Sequence, residues 1–328
     1  MAYVCRREGA GELNSGDRTE RARQLVVVVT YNSMPAISGS MTMLEDIARS
    51  AAFDLVFVDN ASQDGTGALL STIEGSTCRL NDSNCGFAVA VNQALGSELR
   101  CKYFILLNPD AFISVGDLER LVDFMDEEPG LAACSPSLVS ETGENMGFWA
   151  RGSSAAAMLV DDLTLGFFMR IGPLRRRFGH LSASDIKTGV RPGFISGAVF
   201  VERVEALRQV GLFDDRFFLY YGEADWCRRA IAAGWRLGLV PGVEAVHRMY
   251  GTSESEEVAR ELYYASRYAF LKKHYGRAEE FAIRVADAVS GVILWSAGSL
   301  LRGMLADMAQ DAAVEGRTRA FSASQLKR

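Results

Sequence analysis

Asp110 stands just beyond an apolar run at residues 103–107, with Asn108 two positions before it and Pro109 between them. A carboxylate there supplies the hard oxygen that Mg²⁺ or Mn²⁺ prefers, and a metal so held neutralises charge on a diphosphate. Asn, Pro and Asp are also turn formers, so this spacing alone leaves both readings open. Two further acids, Glu223 and Asp225, follow the aromatic run Phe217-Phe218-Leu219-Tyr220-Tyr221. Apolar walls disfavour the charged carboxylate and make it a better base near neutral pH, so Glu223 is a candidate general base. Helix capping and pairing with Arg228 or Arg229 would explain the same acids without catalysis. Asp59 opens the segment Asp-Asn-Ala-Ser-Gln-Asp-Gly-Thr, which is rich in groups able to meet a base and a ribose, or to form an Asx turn. His247, one of three histidines, precedes Gly251-Thr252-Ser253 and could complete a metal site or touch phosphate.

The elements that position these residues follow from hydrophobic patterning. Residues 25–29, 55–58 and 103–107 are short β-branched or aromatic runs ending in polar turns, which predicts buried parallel strands. Helical spacing over residues 41–52 and 87–99 separates them, the second helix introduced by Asn84, Cys85 and Gly86. Alternating strands and helices predict an α/β sheet, and ligands of such sheets collect beyond the carboxyl ends of the strands. There the chain places Thr30-Tyr31-Asn32, Asp59-Asn60-Ala61-Ser62 and Asn108-Pro109-Asp110. Later segments predict strands near 193–201 and 235–240, a helix at 204–210, and a helix over 255–273 bearing Tyr263, Tyr264 and Tyr268.

With 328 residues, 48% of them apolar, the chain has ample material for a core and is neither disordered nor a polytopic membrane protein. The 41 acidic residues outnumber the 35 basic ones, for a net charge of −6, which argues against nucleic acid as a partner. Six scattered cysteines form no CxxC pair and fit a reducing cytoplasm. Residues 1–24 are polar and read as a flexible leader rather than a signal sequence. Residues 147–190 have weaker periodicity and carry Arg170, Arg175, Arg176 and Arg177 beside Phe167, Phe168 and Phe178, as a lid or acceptor-binding insertion would. The uncharged stretch 288–301 is short of the ~20 residues a spanning helix needs, so packing or contact with the inner face of the plasma membrane is expected of it.

In this order and spacing, the segments at 29–33 (Val-Thr-Tyr-Asn-Ser), 59–66, 84–92, 106–110 (Leu-Leu-Asn-Pro-Asp), 195–198, 211–215, 223–229 and 247–253 resemble the family 2 glycosyltransferases of the GT-A fold, especially rhamnosyltransferase-like members. The likeness spans residues 25–275, with 276–328 left as a C-terminal helical extension. It implies a mostly parallel Rossmann-like sheet flanked by helices, and metal-assisted, inverting transfer of a sugar from a nucleoside diphosphate sugar. dTDP or UDP sugars are the implied donors, dTDP-rhamnose foremost, and a saccharide or lipid-linked molecule is the acceptor in cell-surface polysaccharide synthesis. By position, Thr30, Tyr31, Asn32, Asp59, Asn84, Gly86, Asn92, Asn108 and Gly197 would bind the donor. Asp110 and His247 would serve Mg²⁺ or Mn²⁺ and the diphosphate, and Glu223 would be the base.

Two departures from the family pattern matter. Where relatives carry a Glu-Asp pair this chain reads Gly222-Glu223, which leaves Asp225 a rival for the proton, and Asn108 replaces an aspartate of the metal triplet. These changes leave open a non-catalytic nucleotide-sugar-binding assembly protein. Nucleotidyl transfer would instead need a Gly-rich basic loop after the first strand, which Thr30-Tyr31-Asn32-Ser33 does not offer.

Overall fold

The computed structural model describes residues 3–4, 23–96, 100–146, 148–149, 158–159, 180–181, 192–248 and 256–294. Contacts divide the chain into two compact units, one of residues 1–153 and 176–274, the other of 154–175 and 275–328.

The first unit is built on a nine-stranded sheet in the order β1-β4-β3-β2-β5-β10-β7-β11-β6. These strands are β1 (Tyr3–Val4), β2 (Gln24–Thr30), β3 (Phe53–Asp59), β4 (Ser76–Leu80), β5 (Tyr103–Leu107), β6 (Ala111–Phe112), β7 (Leu131–Val139), β10 (Val199–Arg203) and β11 (Arg236–His247). β8 (Phe148–Trp149) and β9 (His180–Leu181) form a separate antiparallel pair. Strands β2 through β5 run parallel, as does β11 with β7, whereas β10 is antiparallel to both β5 and β7. The sheet is therefore mixed and mostly parallel. At its edges, β1 pairs antiparallel with β4 and β6 with β11. Tyr3–Val4 is thus a strand within the expected leader, most of which lies outside the described residues.

The helices follow from capping and periodicity. α1 (Met34–Arg49) starts with proline in its first turn, where the missing N–H costs nothing. α2 (Thr66–Leu70) and α3 (Phe87–Leu95) follow β3 and β4. In α4 (Val115–Glu127), the Ser114 hydroxyl accepts from the Asp117 N–H at 3.0 Å, and Leu118, Leu121, Val122 and Met125 recur at helical spacing to bury one face. α5 (Val204–Val210), α6 (Gly222–Ala232) and α7 (Glu256–His274) complete the first unit.

Two cores sandwich the sheet. Ile37, Leu44 and Ile47 of α1 pack with Leu118 and Leu121 of α4 on one face, and Ala88 and Val91 of α3 pack with Leu207 and Trp226 on the other. Strands covered on both faces read as unbroken Val and Ile runs, which is why β2 and β5 are apolar at nearly every position.

In the second unit, α8 (Arg277–Leu294) is the main described element. Its exposed residues include Phe281, Val285 and Val289, spaced four apart along one side. Residues 295–301 of the expected apolar stretch lie outside the described residues, as do the insertion arginines Arg170, Arg175, Arg176 and Arg177. No described helix is long and apolar enough to cross a membrane.

Candidate active site

The first wall is made by loops leaving β2 and β3. Thr30 donates from Oγ1 to Asp59 Oδ1 at 2.8 Å, and Ser62 donates to Asp59 from its N–H at 2.9 Å and from its hydroxyl at 2.5 Å. Asn32, at φ 47°, gives its N–H to the Ser62 hydroxyl and takes the Gln63 N–H at 2.7 Å. Short polar side chains tolerate this left-handed backbone by bonding locally, so Asn32 suits the turn. The two loops are laced into one unit. Asp59 and Thr30 are buried within it, whereas Tyr31 and Asn32 remain partly exposed.

The second wall is the entry to α3. Gly86 takes φ 84°, and a Cβ on it would lie 2.7 Å from both the Phe218 ring and the Phe218 carbonyl oxygen. That carbonyl accepts the Phe87 N–H at 2.5 Å. Glycine is therefore needed twice over, for conformation and for close approach. Asn84 Oδ1 accepts the Gly86 N–H, and Asn60 donates to the Gly86 carbonyl. Asn92 lies farther along α3, its amide engaged with the Phe213 backbone in both directions and with Asp215. It fastens α3 to the 211–217 loop.

Asp110 and His247 come together from opposite ends of the sequence. The β6–β11 pairing places Ala111 against His247, and the Arg248 N–H bonds the Asp110 carbonyl at 3.0 Å. His247 Nε2 then lies 3.3 Å from Asp110 Oδ1. The other ring nitrogen, Nδ1, is buried and meets no hydrogen-bond partner among the described residues. Asn108 sets the turn leading there: its N–H bonds the Ala198 carbonyl and its carbonyl accepts the Ala111 N–H.

This pair fits a divalent metal of one particular kind. Adjacent ligands in an octahedral shell of ~2.0–2.2 Å bonds stand about 3 Å apart, close to the observed separation. No group of three or more His, Cys, Asp or Glu side chains converges among the described residues, so a protein cage is not offered. The carboxylate suits Mg²⁺ or Mn²⁺, the imidazole nitrogen favours the softer Mn²⁺, and substrate phosphates and water would complete the shell.

Glu223 and Asp225 share the first turn of α6 but sit in opposite electrostatic settings. Asp225 is fully buried, with Arg229 Nε at 2.8 Å, Lys273 Nζ at 2.5 Å and His274 Nε2 at 2.7 Å. Burial pushes its carboxyl up, but the hydrogen bonds from Lys273, Arg229 and His274 outweigh that and hold it below the usual range. Asp225 thereby pins the end of α7 to α6. Glu223 is half-buried, and among the described residues no side-chain donor or cation meets its carboxylate. Burial pushes its pKa up. It lies directly over Gly197, where a Cβ would stand 2.1 Å from Oε1. The glycine at 197 is the space that the acid occupies.

Three features escaped the sequence reading. His274 was given no role there, yet it bonds Asp225 across 49 positions. Lys273 bridges Asp214 and Asp225. Glu202 on β10 is fully buried, and neither carboxylate oxygen has a partner among the described residues. Burial drives its pKa well up. An acid inside a strand of apolar residues was the available signal. Cys227 is also fully buried and packs in the core.

Comparison with known proteins bears on the fold and the family. Residues 25–181 match the family model described as glycosyl transferase family 2. The N-acetylglucosaminyl-diphospho-decaprenol L-rhamnosyltransferase of Mycobacterium tuberculosis is 26% identical over 268 residues, which cover 76% of this chain and 85% of that protein. Among solved structures, a mannosyltransferase from Pyrobaculum calidifontis in complex with GDP-Man and Mn²⁺ aligns with TM-score 0.53 at 18% identity, covering 92% of this chain and 84% of that one. GalNAc-T7 with UDP, GalNAc and Mn²⁺ aligns with TM-score 0.52 at 14% identity, over 76% of this chain and 47% of that one. These structural likenesses speak to the fold. Residues 25–181 thus match the family 2 glycosyltransferases in sequence, and the chain shares the GT-A fold of these solved transferases.

Proposed function

We propose that the protein is an inverting glycosyltransferase that moves a sugar, L-rhamnose from dTDP-rhamnose foremost, to a lipid-linked saccharide. The contrast between Glu223 and Asp225 carries the reading. One acid meets no side-chain donor or cation among the described residues and is raised in pKa over Gly197; the other is locked by three basic groups. Glu223 accepts the proton of the acceptor hydroxyl as that oxygen attacks the anomeric carbon. The anomeric carbon–oxygen bond to the diphosphate breaks, and its electron pair leaves with the nucleoside diphosphate. A single displacement of this kind inverts the anomeric centre. General base catalysis of this sort contributes ~10²–10⁴-fold.

Around that step, Tyr31, Asn32, Asn84 and Gly86 bound the nucleotide pocket, while Thr30 and Asp59 hold its loops in shape. Asn108 and Gly197 set the backbone beneath the sugar and the base, and Asn92 secures α3. Asp110 and His247 would hold Mg²⁺ or Mn²⁺, which when bound neutralises charge on the diphosphate. The donor class is supported by the rhamnosyltransferase relative, and the metal by the Mn²⁺ complexes of the structural neighbours. The relative's diphospho-decaprenol substrate supports a lipid-linked acceptor and work at the cytoplasmic face of a membrane in cell-envelope synthesis. Peripheral contact through the Phe281, Val285 and Val289 side of α8 fits that placement.

A thermal-shift panel of dTDP, UDP, GDP and their sugars, with and without Mn²⁺, tests the reading. A metal-dependent rise in Tm with dTDP-rhamnose is expected. Absence of any shift with every nucleotide would favour a protein that binds no donor.

A further inference from the structure

We propose that Tyr220 and Tyr263 form an aromatic wall that receives a pyranose ring of the acceptor, so that the acceptor reaches Glu223 over α7. The inference rests on the transferase reading and adds to it the surface that selects the acceptor.

The backbone in front of the base is strained. Tyr221 takes φ 68°, a left-handed conformation that is an outlier for so bulky a residue, and it stands two positions before Glu223. Contacts from α7 hold it there. Its hydroxyl meets that of Tyr263 at 3.2 Å and accepts from the Arg267 guanidinium at 3.3 Å, and its ring lies 5.1 Å from Phe270. Arg267 and Phe270 are themselves buried, so the clamp is rigid.

That clamp presents the next ring outward. Tyr220 stands edge-on to Tyr263, with ring centroids 5.6 Å apart at an angle of 71°. The row continues from Tyr263 to Tyr264 at 5.5 Å and from Tyr264 to Tyr268 at 5.9 Å. Tyr263 remains 38% exposed, so the row reaches solvent three positions before the base, at Tyr220. A pyranose offers one face of polarised C–H groups to the electron-rich face of such a ring, and its rim hydroxyls can bond the phenols. The donor's base and ribose have their pocket between the β2, β3 and α3 loops, built from other elements. A saccharide seated on the α7 side therefore belongs to the molecule whose hydroxyl must meet Glu223.

The test measures acceptor and donor KM separately for the full-length protein, with dTDP-rhamnose and N-acetylglucosaminyl diphosphate carrying a short prenyl chain. Tyr263→Ala and Tyr220→Ala should each raise acceptor KM by about three- to tenfold, the worth of an aromatic contact, and leave donor KM in place. Tyr263→Phe, which keeps the ring, should restore acceptor KM. An unchanged acceptor KM in both alanine variants would overturn the proposal. So would parallel rises in both KM values with a lowered Tm, or lost binding to phosphatidylglycerol vesicles with acceptor KM intact. A wild-type protein that neither binds dTDP-rhamnose nor transfers from it would refute the transferase reading itself, and this inference with it.

Discussion

Gly197→Ala isolates the position of the base from its chemistry. A Cβ at 197 would lie 2.1 Å from Glu223 Oε1 and 2.8 Å from both Cγ and Cδ. Unbonded heavy atoms settle near 3.5 Å, so the acid must retreat by about an ångström, and the whole side chain must move rather than its tip alone. A misplacement of that size costs about 10² in rate, some 2.7 kcal/mol of barrier. The variant should therefore lose about 10²-fold in kcat, short of or equal to the ~10²–10⁴-fold expected for Glu223→Gln. Affinity for free dTDP by titration calorimetry should stay near wild type, because the new methyl group meets the acid and not the nucleotide loops, while the overpacking lowers Tm modestly. A kcat indistinguishable from wild type in a folded Gly197→Ala protein would refute the placement of Glu223 as base.

Other outcomes follow from the same geometry. Asp225→Asn should unfold more easily, by up to roughly 3 kcal/mol in urea denaturation, because it leaves the partly buried Arg229 and His274 without their anion and Lys273 with Asp214 alone. Asp110→Ala should abolish the Mn²⁺-dependent part of dTDP binding, read by calorimetry with and without metal. For Glu202, the folded pKa lies well above the ordinary 4.5 of the unfolded chain, so the folded state binds the extra proton between those values. Stability should then fall as pH rises above the ordinary value, by up to about 1.4 kcal/mol per unit, and Glu202→Gln should flatten that slope in denaturation curves taken at several pH values. Because Glu223 must be deprotonated to act and its pKa is raised, the acid limb of the kcat–pH profile should lie above the ordinary glutamate value.

Much of this architecture was legible because burial writes itself into composition. β2, β3 and β5 run close to the expected limits, since strands covered on both faces must be apolar throughout. α5 begins and ends where its pattern does, at Val204–Val210. Elements with mixed signals were harder. α1 begins seven positions before the expected 41, because Ser38, Gly39 and Ser40 interrupt its apolar spacing while Pro35 starts it. β4 carries polar residues near the sheet edge, and β7 contains Pro136, which argues against a strand from sequence. The strand expected at 235–240 continues to His247 as β11, whose register shifts between Leu239 and Glu244 around Gly242 at φ 72°.

The site divides along the same line. Asp110, His247, Glu223 and the Asp59 loop could be singled out as candidates because each stands at an element's end, where side chains escape packing. The partners that distinguish Glu223 from Asp225 could not. Lys273 and His274 reach Asp225 from the far end of α7, and only the tertiary fold brings a cation that far to an acid. Gly197 likewise has a role only once α6 lies across it.

The displacement at the anomeric carbon is a single chemical event, and proton NMR can watch it. Wild-type protein, dTDP-rhamnose, Mn²⁺ and N-acetylglucosaminyl diphosphate on a short prenyl chain should yield a disaccharide product whose new anomeric proton reports configuration opposite to the donor's. Glu223→Gln, with donor binding intact, should yield almost none. Retained configuration, or full transfer by Glu223→Gln, would contradict a single displacement driven by Glu223.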